Sequence, residues 1–120
     1  MDEKYNNPYE HLLVRDYDEE DLDLKGAVKR VSVFDTPGET ITVFLQDDGA
    51  GHWTYGYNIY FSNGRSATRK PNLEYGYCVT ENDALLHFLG LCLSFRTSFS
   101  EDAVAAIKAM IMDRAQLKLF

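Results

Sequence analysis

Residues 52–61 read His-Trp-Thr-Tyr-Gly-Tyr-Asn-Ile-Tyr-Phe, and this alternation limits the possible fold more than any other stretch. In an extended chain Trp53, Tyr55, Tyr57, Ile59 and Phe61 fall on one face. Thr54, Gly56, Asn58 and Tyr60 fall on the other. Five large apolar side chains in a row on one side need a covering layer. Asn63-Gly64 follows at once, a strong short-range hairpin signal. Residues 65–70 then return as a polar, basic strand, a composition suited to a sheet edge.

Two further strands precede this one. Residues 27–34 are rich in valine. Thr36-Pro37-Gly38-Glu39 has turn residues in turn-compatible order, and residues 40–46 place Ile41, Val43 and Leu45 on one face. Asp47-Asp48-Gly49-Ala50-Gly51 reads as a loop. The pattern predicts an antiparallel meander of about four strands. Two helices should follow. Thr80 caps the first, with Asp83 three residues on as a near capping box. Residues 84–95 are apolar around most of the helix circumference, so this helix should be buried across the aromatic face of the sheet. Gly90 in its middle is a mild cost and marks a close helix contact. Ser100 caps the second helix, with Glu101 and Asp102 favouring its N-terminal dipole. Val104, Ile107 and Ile111, joined by Ala103 and Met110, form its inner stripe, which stops after Ala115. The fold class is therefore α+β: a four-stranded antiparallel meander, two C-terminal helices on one face, and a short N-terminal helix.

That N-terminal helix is read from Asn7-Pro8-Tyr9-Glu10, with Asn7 as cap and Pro8 at the first helical position, ending near Arg15. Residues 1–7 read as frayed. The charge is concentrated here. Residues 1–24 hold nine acids and two bases, and residues 25–120 balance to zero, although the whole chain carries −7. Residues 16–23 form an acidic connector, with Leu22 and Leu24 as apolar anchors, and read as a solvated segment. The domain organisation is an acidic segment over residues 1–24, one α+β domain over 25–115, and a tail over 116–120. Cys78 and Cys92 lie among apolar neighbours without CxxC spacing. They read as buried thiols of a reducing compartment, and with no visible signal peptide or spanning segment the expectation is a cytoplasmic protein.

The tail carries the most specific signal. Gln116-Leu117-Lys118-Leu119-Phe120 resembles the peptide by which many bacterial replication and repair proteins bind the DNA polymerase sliding clamp. The resemblance implies that Gln116 is the polar anchor, Leu117 the first apolar contact, and Leu119 with Phe120 the plug of an apolar pocket. Lys118 takes the variable position, where Ser or Asp is more usual. Peptide-in-groove recognition has this form of apolar anchors and one orienting polar group. The competing reading packs Leu117, Leu119 and Phe120 onto the domain's own core. In size and style the chain also resembles small accessory proteins of bacterial phages and mobile elements.

Two other constellations compete. The order strand, Asp-Gly loop, aromatic strand, hairpin and Thr-x-Asn helix resembles part of ribonuclease H, which implies carboxylates converging on divalent metal. Asp47 or Asp48 would be the strand acid. The acid after Thr80 and Asn82 is displaced to Asp83, and the later acids have no counterpart. Asp47-Asp48-Gly49 reads more simply as a β-turn. Separately, Arg65, Arg69 and Lys70 cluster near Tyr60 and Tyr75, a pattern that can hold single-stranded nucleic acid by charge and stacking. The acidic total argues against direct nucleic-acid binding and for a soluble edge. His11, His52 and His87 share no metal-ligand spacing. Surplus sheet aromatics also suit a homodimer face. The sequence thus favours a non-enzymatic adaptor without metal or cofactor, with a sliding clamp as its partner.

Overall fold

The computed structural model describes residues 6–15, 24–73 and 76–117, with side chains through residue 115. The acidic connector of residues 16–23, Tyr75, and the tail residues Lys118, Leu119 and Phe120 lie outside the described residues.

The sheet is the expected meander. Strands β1 (Lys29–Thr36), β2 (Glu39–Asp47), β3 (Trp53–Tyr60) and β4 (Ser66–Arg69) pair antiparallel in chain order. The register puts Val31 opposite Val43, then Val43 opposite Tyr57, and Ile41 opposite Ile59. One apolar face therefore runs across the sheet. A bulge between Ser32 and Phe34 interrupts β1. It lets Val33 and Phe34, adjacent in sequence, both pack on the core. β1 starts and ends two residues later than the valine run suggests, because its pairing continues to Thr36 opposite Glu39. The β3–β4 hairpin closes on Phe61 and Arg65. Gly64 takes a φ of 90°, and the Asn63 Oδ1 accepts from Arg65 N–H at 2.9 Å.

Helix α1 (Glu81–Ser94) lies on the apolar face against β2 and β3. Every residue from Asp83 through Gly90 is buried, as is Cys92. Phe88 sits between the Tyr55 and Tyr57 rings, with centroids 5.4 and 5.6 Å away. α1 thus covers Tyr55 and Tyr57, while Tyr60 on the other face of β3 is 52% exposed. The Thr80 Oγ1 accepts from Asp83 N–H at 3.0 Å, the cap the sequence predicts. Helix α2 (Glu101–Leu117) packs on α1 and β1, burying Ala103 and Ile107 fully. Its cap is more than local. The Ser100 Oγ accepts from Ala103 N–H, and Ser100 N–H and O–H both donate to the buried Glu39 carboxyl. The hairpin turn between β1 and β2 is thereby joined to the start of α2. The helix runs to Leu117, two residues past the end of its apolar stripe.

The N-terminal segment departs from expectation. Only one 3-10 turn forms, over Glu10–Leu12, with no cap from the Tyr9 side chain. Asn7 keeps a cap-type bond, its Oδ1 accepting from Tyr9 N–H at 2.9 Å, and its Nδ2 also donates to the His87 carbonyl at 3.0 Å. Past the turn the chain straightens, and Val14 exchanges backbone hydrogen bonds with Tyr77. Tertiary hydrogen bonds at both ends outcompete a helix too short to propagate. Residues 6–15 form a strap over the outside of α1. Gly90 explains the fit, because a Cβ there would stand 1.9 Å from Asn7 Oδ1. Among the described residues no helix is long and apolar enough to cross a membrane.

Candidate functional site

The three cations of the basic hairpin differ in setting: Arg69 and Lys70 border one open depression, and Arg65 stands at the hairpin end. Arg69 pairs with Tyr57, so it shares the helix-facing side of the sheet. Its guanidinium lies 4.6 Å from the Tyr55 ring centroid and 5.4 Å from that of Tyr57, and Nη2 donates to the Tyr55 carbonyl at 3.1 Å. Arg65 and Lys70 are exposed, Arg65 at the hairpin end and Lys70 just beyond β4. Strand alternation splits the three cations between a core-edge role and the solvent.

Of the two acids proposed for metal chemistry, Asp48 has a structural duty for its carboxylate. Asp48 is buried. Its Oδ1 accepts from the N–H groups of Ala50 at 2.8 Å and His52 at 3.2 Å, and its Oδ2 lies 2.5 Å from His52 Nδ1. Burial alone would raise this carboxyl. The donors of Ala50 and His52 outweigh it and hold the carboxyl below its ordinary value. His52 in turn meets the Tyr77 ring edge-on at 4.3 Å. The Asp47 carbonyl accepts from the N–H groups of Lys25 and Gly26. At the other end of the resemblance, Thr80 and Asp83 form the α1 cap. Asn82 Nδ2 donates to the Arg114 carbonyl at 3.1 Å, tying the last turns of α2 to the first turn of α1.

A third arrangement was hidden in the sequence. Glu10, Tyr55 and His87 meet between the strap, the sheet and α1. The Glu10 Oε2 is 3.1 Å from His87 Nε2, and the Tyr55 hydroxyl is 2.9 Å from His87 Nδ1. An ionised Glu10 accepts from Nε2–H, which leaves Nδ1 to accept the phenolic proton. Arg15 pairs with Glu10 on the outer side. A cleft of about 180 Å³ adjoins the group, bordered also by Trp53 and Arg69. Burial pushes the His87 imidazole below its ordinary pKa, although Glu10 pulls the other way. Burial also pushes the Tyr55 phenol up, against Arg69. Both groups are therefore neutral near pH 7. Carboxylate, imidazole and phenol in line have the geometry of a proton relay, but its phenol end is only 3% exposed, in the core. The arrangement fastens the strap to α1 and the sheet. A histidine within an apolar helix was its one visible trace, because its partners lie 77 and 32 positions away.

The tail peptide begins inside α2. Gln116 and Leu117 have helical backbone, and Leu119 and Phe120 lie outside the described residues. The inner stripe of α2 weakens before that point. Ala103 and Ile107 are fully buried, Met110 and Ile111 only partly, and Met112 is 65% exposed. No family model, curated protein or solved structure matches the chain.

Proposed function

We propose that this protein is a non-catalytic adaptor that docks on a DNA sliding clamp through Gln116, Leu117, Leu119 and Phe120. The sequence Gln-Leu-x-Leu-Phe at the end of α2 carries this reading. Two structural facts support it. Among the described side chains of α2, full burial ends at Ile107, about two and a half turns before the peptide, and Met110 and Ile111 are only partly buried. The polar groups best suited to chemistry are committed to the scaffold: Glu39 to Ser100, Asp48 to its own loop, and His87 to Glu10 and Tyr55. In the clamp complex Gln116 orients the peptide, and Leu119 with Phe120 supply the apolar burial that drives binding. The domain is then the cargo delivered to replicating DNA.

The test compares the full chain with Leu119→Ala/Phe120→Ala for binding to a bacterial sliding clamp and for melting temperature. The adaptor reading expects micromolar binding that the double variant loses, with an unchanged melting temperature. No binding by the full chain would overturn it. A second reading has the tail completing the domain's own fold, favoured by the hydrogen bond from Asn82 to the Arg114 carbonyl, which holds the end of α2 against α1. That reading expects the double variant to lose about 2–5 kcal/mol per buried large side chain.

A further inference from the structure

Near the C-terminal end of α1 the core opens into an apolar pocket of about 260 Å³. Five rings border it: Tyr57 and Phe61 from the sheet side, Phe88 from α1, and Phe95 and Phe99 from the turn between the helices. The short edge strand β4 contributes only Ala67, opposite Ile59, and this small side chain leaves the space. Apart from Tyr57, Cys92 and Ser98, every lining side chain is hydrocarbon. Cys92 belongs with the hydrocarbon, because burial raises its thiol and keeps it protonated.

We propose that this pocket binds a small, flat aromatic molecule. The lining selects the chemistry. Water needs two to four polar partners to be held well, and these walls offer few. A dry cavity of about 150 Å³ accommodates benzene, so about 260 Å³ suits a two-ring molecule. Surrounding rings favour an aromatic guest through edge-to-face and offset contacts. A peptide segment fits poorly, because its backbone N–H and C=O groups would be buried among hydrocarbon with almost no partners. A second copy of this chain also fits poorly. Phe95, 56% exposed, is the one strongly exposed large apolar residue at the rim, while Val28, Tyr60, Val79 and Met112 are not part of the lining. A stable dimer needs roughly 800 Å² from each partner.

This pocket adjoins Leu91 and Phe95, at the opposite end of α1 from Asn82, which meets α2.

The experiment is an NMR titration of the full chain with naphthalene, reading the methyl signals of Ile59, Ala67 and Leu91. The expected result is a saturable shift of those methyls. Phe95→Ala, at a side chain 56% exposed, weakens binding about two- to tenfold through loss of one ring contact. Ala67→Phe fills the space and abolishes the shifts. Absence of saturable shifts, or undiminished binding in Ala67→Phe, overturns the proposal. Octanol binding as tightly as naphthalene overturns the aromatic selectivity. Shifts of the same methyls with protein concentration alone would make the occupant a second copy.

Discussion

Gly90→Ala separates two effects that normally act together. In an exposed helix interior, replacing glycine by alanine stabilises by about 0.5–1 kcal/mol, because the unfolded chain loses freedom. Here the new Cβ would stand 1.9 Å from Asn7 Oδ1, 2.8 Å from Asn7 Cγ and 3.2 Å from Tyr9 Cδ2. Contacts below about 3 Å force a shift. Asn7 is a side chain and can turn away, but turning gives up two hydrogen bonds, one to the His87 carbonyl and one from Tyr9 N–H. At about 0.5–1.5 kcal/mol each, the loss is about 1–3 kcal/mol. The helix gain offsets part of it, leaving a net destabilisation of about 0–2.5 kcal/mol confined to the strap. Denaturant unfolding gives the net value, and amide hydrogen exchange at Tyr9, Leu12 and Val14 locates it, with the expectation of faster exchange there and unchanged exchange in β2 and β3. In the Gly90→Ala background, Asn7→Ala removes the clash, so the two substitutions should couple by about 1–2 kcal/mol instead of adding. If Gly90→Ala simply stabilises by about 1 kcal/mol with strap exchange unchanged, the close-approach account of Gly90 is wrong.

Two further outcomes follow from the buried polar groups. His87 is held neutral, with its folded pKa below the ordinary 6.5. The unfolded state therefore takes up a proton first, and stability is full above about pH 7 and falls as pH drops through 6.5, by at most about 1.4 kcal/mol per pH unit. His87→Gln should flatten that slope, and an identical pH profile of urea midpoints in the variant would show that another group carries it. Ser100→Ala removes both the α2 cap and a donor to Glu39, which is 4% exposed. The expected cost is about 2–4 kcal/mol by denaturant unfolding, larger than a solvent-exposed cap alone, which costs about 0.5–2 kcal/mol; Ser100→Thr should retain most of it.

What the sequence determined by itself is local and periodic. Alternation over residues 52–61, the Asn63-Gly64 turn and the caps at Thr80 and Ser100 each depend on neighbours within a few positions, and each is found in the fold. Gly90 was legible as a close approach, but the expected neighbour was a helix, and the strap residues Asn7 and Tyr9 take that place. The tail peptide is likewise a purely linear signal, and its reading still rests on the sequence. Tertiary structure decided the rest, because it depends on which distant groups compete for the same partner. Asn7 makes the cap-type bond to Tyr9 N–H that its position suggests, but the His87 carbonyl ties it into the strap and no full helix follows. Arg65, Arg69 and Lys70 look like one patch, but strand parity and the Tyr55 and Tyr57 rings draw Arg69 to the core edge. Glu10, Tyr55 and His87 have no local pattern linking them. They meet because the strap crosses α1 where α1 crosses β3, and once buried there each polar group must find its partner among the others.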